Sequence, residues 1–143
     1  MNADNRLELR QSQIIEEFDM FPDWMEKYEH IIELGKELDP IDEGAKIDDN
    51  LIKGCQSRVW LSATLNDEGQ VIFTADSDAI ITKGLVALMI RVLSGAKPME
   101  IASANLHFLD AIGLNAHLSP TRSNGLLSMV KQMKMYGLAY SAR

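Results

Sequence analysis

Residues 58–75 read RVWLSATLNDEGQVIFTA, and the fold follows from them. Val59, Leu61, Ala63 and Leu65 alternate with Arg58, Trp60, Ser62 and Thr64, the period of a strand with one face in a core. Asn66-Asp67-Glu68-Gly69 is turn chemistry, and residues 71–75 return as a second strand. The segment therefore predicts an antiparallel hairpin. A hairpin alone is marginal in water, so a third strand or covering helices must complete it. Residues 50–53 are the candidate third strand, giving a sheet of about three.

Downstream, Ser77 or Asp78 is placed to cap a helix over 79–94. Its apolar residues leave little polar surface, so it is predicted to be central and packed on the sheet. Gly95 ends it, Pro98 opens a short helix, and residues 105–112 read as another helical piece. A last helix is expected over 120–137 with Leu126, Val130 and Met133 inward. Upstream, residues 1–12 are polar and expected to fray, and Ile14, Ile15 and Phe18 mark a short helix. Pro22 suits the first turn of the next one, where Trp24, Tyr28 and Ile31 recur at helical spacing beside Ile32. Glu26, Glu29, Glu33 and Glu37 lie on its wet side, and residues 38–50, with Pro40 and Gly44, read as a long loop. Helices flank a hairpin without alternating with strands, which is an α+β pattern and excludes a doubly wound fold.

With 143 residues, 46% hydrophobic and 24% charged, residues 1–143 suit one globular domain. No apolar run nears the roughly 18 residues that cross a bilayer, and the first residues lack a secretory signal, so a soluble, cytoplasmic protein without a membrane role is expected. The net charge of −7 argues against nucleic acid as the main partner. That charge is uneven: residues 1–49 hold 15 acids and 5 bases, whereas residues 50–143 hold 6 acids and 9 bases. The asymmetry suits a charge-matched protein partner, or simply a solvated acidic helix face. Whether the chain is a monomer or a homodimer stays open.

One cysteine excludes an internal disulfide, and with three histidines it excludes a zinc-knuckle site, so no metal is expected. Cys55 lies in Lys53-Gly54-Cys55-Gln56-Ser57-Arg58, between an acidic loop and a strand. A structural cysteine keeps apolar company. Here the neighbours are small or polar and two bases flank them, a setting that favours thiolate, the reactive form. Both readings stand: a reactive thiol on a loop tip, or a cysteine tucked under the hairpin. His30 reads as solvated surface; His107 or His117 could serve Cys55 as a base. Asp76-Ser77-Asp78 reads as a helix cap, and the eight methionines as packing. Ser119-Pro120-Thr121-Arg122-Ser123-Asn124-Gly125 opens a helix, where backbone N–H groups beside Arg122 favour an anion; an ordinary cap with a surface arginine is the other reading.

Three blocks together resemble the SufE family of sulfur acceptors: IKGCQSRVWL at 52–61, FTADSDAIITKGLVAL at 73–88 and LSPTRSNGLLSMVKQM at 118–133. FPDWMEKYEHIIELG at 21–35 agrees more loosely, and the likeness runs from about residue 14 onward. The resemblance implies a small antiparallel sheet covered by helices, a fold shared with IscU-type scaffolds. It implies that Cys55 accepts persulfide sulfur from a pyridoxal-phosphate-dependent cysteine desulfurase, stimulates that enzyme, and passes the sulfur to a scaffold for iron–sulfur cluster assembly. Arg122 matches the family's arginine, and Asp76, Ser77 and Asp78 its acidic turn near the cysteine loop. Many relatives carry proline before the glycine of the cysteine block; Lys53 frees the backbone there and adds a positive charge.

Sulfur transfer needs an accessible thiolate, with no second cysteine to expel the sulfur by closing a disulfide. Lys53, Arg58 and Arg122 are expected to supply charge, and Gly54 to let the loop move on docking; Gln56 and Ser57 complete that loop. No cofactor is expected, and one cysteine is too few ligands for a cluster scaffold. The other functional classes are a one-cysteine thiol enzyme, such as a peroxidase or hydrolase, and a redox-sensing interaction module.

Overall fold

A computed structural model describes residues 3–142. Helix α1 (Ala3–Asp19) and helix α2 (Trp24–Lys36) precede strands β1 (Val59–Leu65) and β2 (Val71–Ser77). Then follow α3 (Ile80–Leu93), α4 (Pro98–Ala102), α5 (Phe108–Ala111), α6 (Leu114–His117) and α7 (Pro120–Ser141). The alternation in β1 and β2 sets their antiparallel register, from Val59 opposite Ser77 to Leu65 opposite Val71. Val59, Leu61, Val71, Phe73 and Ala75 are buried on one face, against which α3 packs. Ile81, Leu85, Val86, Leu88, Met89, Val92 and Leu93 are all buried, so α3 is enclosed nearly all round, as its composition predicts. Helix α2 crosses it at Gly35 and Gly84, where a β-carbon on Gly84 would run into the Ile31 carbonyl. The architecture is α+β. Among the described residues no helix is long and apolar enough to cross a membrane.

Several expectations are corrected. The sheet has two strands, because the predicted third is a single bridge. Leu51 pairs with Trp60, and Ile52 N donates to Val59 O at 2.9 Å, but Gly54 then turns the chain away. Residues 3–12 are not frayed. They form the first half of α1, where Leu7 is buried and Gln11 Nε2 donates to Asn105 O at 3.1 Å. Gln11 Oε1 accepts from Phe108 N, and Arg10 donates to the Val92 and Ser94 carbonyls at the end of α3. Polar side chains that satisfy buried backbone groups do as much as apolar ones to hold a helix down. Met1 and Asn2 lie outside the described residues.

Helix α2 starts after Pro22, with Asp23 Oδ1 accepting from Glu26 N at 2.9 Å. The long loop carries two short 3-10 turns, Glu43–Ala45 and Asp48–Asn50. Helix α7 runs past residue 137 and turns Met129 inward with Leu126 and Met133, leaving Val130 half-buried. Packing explains three methionines, Met89, Met129 and Met133; Met20, Met25, Met99 and Met135 are exposed.

Candidate functional site

The loop 53–58 is fixed at both ends. At its start Gly54 has φ +94°, a conformation that strains any residue with a side chain. A β-carbon there would also overlap Ser128 Oγ, so the loop lies directly on α7. At its end, Arg58 N donates to Asp78 Oδ1 at 3.0 Å, and the Arg58 carbonyl accepts from Ser77 Oγ at 2.8 Å and from Asp78 N at 3.2 Å. Ser77 Oγ also accepts from Ala79 N at 3.2 Å. These groups tie the loop to β2; the N-cap of α3 is Ala79, which makes no side-chain cap, so capping by Ser77 or Asp78 is corrected. Asp76 faces elsewhere, binding Lys46 at 2.8 Å and Lys83 at 3.3 Å. Burial pushes its carboxyl up, but bonds from Lys46, the Ser77 N–H and Lys83 outweigh that and hold it below 3.8.

Between these anchors sits Cys55, half-buried, its Sγ donating to the Gly125 carbonyl at 3.5 Å. Because residue 125 is glycine, the sulfur rests against bare helix; a β-carbon there would stand 3.5 Å from it, at ordinary contact. Beside it opens a cavity of about 430 Å³, lined by Cys55, Gln56, Ser57, Thr82, Ser119, Arg122 and Met129, among others. Sequence reasoning placed four of these seven at the cysteine, and the structure brings them together. Lys53, Gly54 and Arg58 do not line the cavity.

The expected ionisation is corrected for this conformation. Burial alone pushes the Cys55 thiol above 9.0, and no cation opposes it. Lys53 and Arg58 face solvent. Arg122 is turned aside: its Nη1 donates to Tyr28 Oη at 3.1 Å, with the guanidinium 6.0 Å from the ring centroid. Its own N–H donates to the capping Ser119 Oγ at 3.3 Å, so the helix start that favours an anion is partly filled by the chain itself.

The histidines are elsewhere. His107 binds Glu8 at 2.8 Å, and His117 stacks on Trp24 at a centroid distance of 4.5 Å. His30, expected in solvent, binds Glu17 at 2.5 Å and packs against Phe18 and Phe21. None lines the cavity, which removes the base that a Cys–His enzyme would use. Among the described residues no group of three or more His, Cys, Asp or Glu side chains is arranged to hold a metal ion. Tyr28, Thr82 and Met129 are site residues or neighbours that sequence reasoning did not assign, and Ser119 was placed only at the start of the last helix. Tyr28 reaches Arg122 across 94 residues, and only its place on the apolar stripe of α2 was visible.

The family model "SufE: Fe-S metabolism associated domain" matches residues 12–137. The chain belongs to the SufE family. That places it in iron–sulfur metabolism, and the three quoted blocks all fall inside the match. A solved neighbour, the solution structure of a hypothetical protein from Thermus thermophilus, superposes with a TM-score of 0.77. It is 18% identical, and the alignment covers 94% of this chain and 97% of that one. At that identity the likeness carries the fold, here a two-stranded antiparallel sheet with seven helices.

Proposed function

We propose that this SufE-family chain accepts sulfur on Cys55 from a pyridoxal-phosphate-dependent cysteine desulfurase, stimulates that enzyme, and carries the sulfur onward to an iron–sulfur scaffold. The observation that carries the reading is the placement of the chain's one cysteine on a loop held at both ends, over a cavity it shares with Arg122.

The step balances without an outside oxidant. Cys55 loses its proton, and the thiolate attacks the outer sulfur of the donor's persulfide. A new bond joins Cys55 Sγ to that sulfur as the donor's sulfur–sulfur bond breaks. The electron pair leaves on the donor cysteine, which takes up a proton. The transferred sulfur keeps its oxidation state, so the exchange is reversible and needs no bound cofactor on this chain.

On this reading the supporting roles are as follows. Gly54 lets the loop leave α7, and Ser77 and Asp78 hold its far end at Arg58. Gln56 and Ser57 flank the sulfur at the cavity wall. Arg122, released from Tyr28, stabilises the terminal persulfide anion. Lys53 and Arg58, on the outer side of the loop, meet the partner. Asp76 keeps β2 in place through Lys46 and Lys83. The chain acts as a carrier and activator and turns over no free substrate of its own, in the cytoplasm.

The test is mass spectrometry after incubation with desulfurase and free cysteine. The chain should gain one sulfur on the peptide bearing Cys55, and Cys55→Ser should keep its fold and its partner while gaining none. A Cys55→Ser chain that stimulates the desulfurase fully would remove the acceptor role.

A further inference from the structure

Helix α7 is apolar on two faces. Leu126, Met129, Met133 and Gly137 turn into the core. At 3.6 residues per turn, Leu127, Lys131, Lys134 and Leu138 form a second stripe, with Val130 and Met135 on its shoulders. Leu127, Met135 and Leu138 are 64%, 52% and 60% exposed. Together with Ala102 of α4 the stripe lines a groove of about 390 Å³. Single exposed apolar residues are ordinary; a contiguous groove of them edged by lysines marks an interaction site.

The charge is unmatched as well. Among the described residues neither Lys131 nor Lys134 makes an ion pair. After Asp110 the sequence contains no acid to meet them.

The geometry points to the outer stripe of α7 as the docking face for an acidic amphipathic helix of a partner protein. Leucine or methionine side chains at i, i+4 and i+7 of that helix enter the groove, and glutamates beside them meet Lys131 and Lys134. A second copy fits less well. Twofold pairing of α7 on α7 repeats the same patch on both sides and sets lysine against lysine. Pairing α7 with the acidic face of α2 in another copy would need both faces to lie on one side of a twofold, or else would build rings or open chains. A flat bilayer surface does not fill a groove between two helices. The stripe starts two residues beyond Gly125, where the Cys55 thiol rests, and runs about 16 Å away from it along the helix. A partner seated there leaves the sulfur cavity uncovered.

The experiment titrates the full chain with a fluorescent, helix-forming peptide that has leucine at i, i+4, i+7 and i+11 and glutamate beside them. A control peptide carries lysine in place of each glutamate. The acidic peptide should bind at least tenfold tighter than the control and weaken as salt rises. Lys131→Glu with Lys134→Glu should reverse the preference. Leu138→Ser should weaken binding at least fivefold with an unchanged far-UV circular dichroism spectrum, since the side chain is exposed. The proposal is overturned by equal affinity for the two peptides, by no binding of the acidic one, or by an unchanged preference in the charge-reversed chain. Self-association that Leu138→Ser abolishes would make the occupant a second copy instead. Capture by phosphatidylserine vesicles that charge reversal abolishes would make it a membrane. Sulfur uptake by Cys55, measured on the same variants, reports separately on the acceptor reading.

Discussion

Alanine at position 54 would load strain into the cysteine loop without touching the thiol. Gly54 sits at φ +94°, where a β-carbon costs about 1–2 kcal/mol. That carbon must also push aside Ser128 Oγ, the end of a side chain able to rotate away for about 0.5–1 kcal/mol. Gly54→Ala thus raises the resting loop by about 1.5–3 kcal/mol relative to a loop lifted off α7, where residue 54 takes ordinary dihedrals. At about 1.4 kcal/mol per factor of ten, opening becomes roughly 10- to 100-fold more frequent. The assay is the rate of Cys55 alkylation by iodoacetamide in the folded chain at neutral pH, and the chain has no other cysteine to label. Adding Ser128→Gly removes the overlap and leaves the dihedral strain, so the rate should fall partway back. An alkylation rate in Gly54→Ala equal to that of the unaltered chain would refute the reasoning, because the strain would then be shared by the whole fold rather than released by the loop.

Ser77→Ala removes the hydroxyl that joins Arg58 O to Ala79 N, a loss of about 1–2 kcal/mol, and should speed amide hydrogen exchange over 55–58 while β1 stays protected. Arg122→Ala removes an exposed side chain, so stability should change by less than about 1 kcal/mol while sulfur uptake from the desulfurase slows; a change in melting temperature alone would return Arg122 to helix capping. Glu17 is held below its ordinary 4.5, first by the hydrogen bonds from Arg91 and then by His30, against the upward push of burial. Its folded pKa lies below its unfolded one, so its contribution is complete above 4.5 and drains as pH falls below that value towards the folded pKa. Both partners are partly exposed, so Glu17→Gln should cost about 0.5–1 kcal/mol at pH 7 and the difference from the unaltered chain should vanish in acid, as read by urea unfolding at each pH.

The hairpin and α3 were legible because their patterns are local. Alternation at Val59 and Leu61 and the apolar residues that recur through 80–93 report burial without knowledge of the partner element, though Ala63 is only half-buried and Leu65 is 39% exposed. Cys55 stood out for the same reason, its polar neighbours, and the structure sets it half-buried beside a cavity. The failures share a cause too. Residues 3–12 look polar, yet Gln11 and Arg10 are polar so that they can serve backbone groups of α3 and the segment before α5. Nothing local distinguishes such a glutamine from a solvated one. His30 was misplaced because Glu17 and Phe18, which receive it, belong to another helix. The third strand failed at Gly54: the glycine expected to free the loop also stops residues 50–53 from extending their pairing with β1. Long-range pairs such as Arg122 with Tyr28 carry no signature in a single sequence.

The raised thiol pKa at rest bears on the proposed acceptor role. Two demands oppose each other: a sulfur that waits between partners must resist oxidation, and a sulfur that attacks a persulfide must be ionised and reachable. Charged neighbours held permanently against Cys55 would meet the second demand and defeat the first. Burial is the cause of the raised thiol pKa, so on the acceptor reading a movement that lifts the loop off Gly125 exposes the sulfur and removes that penalty together. The bonds at Arg58 hold the far end of the loop, which confines the movement to residues 54–57, the segment that carries the sulfur. Arg122 is bonded at rest to the Tyr28 hydroxyl rather than to a carboxylate, so on the same reading no ion pair has to break before it meets charge on the sulfur. On the acceptor reading, then, the docked partner and the loop movement together set the reactivity of Cys55, rather than the resting conformation alone.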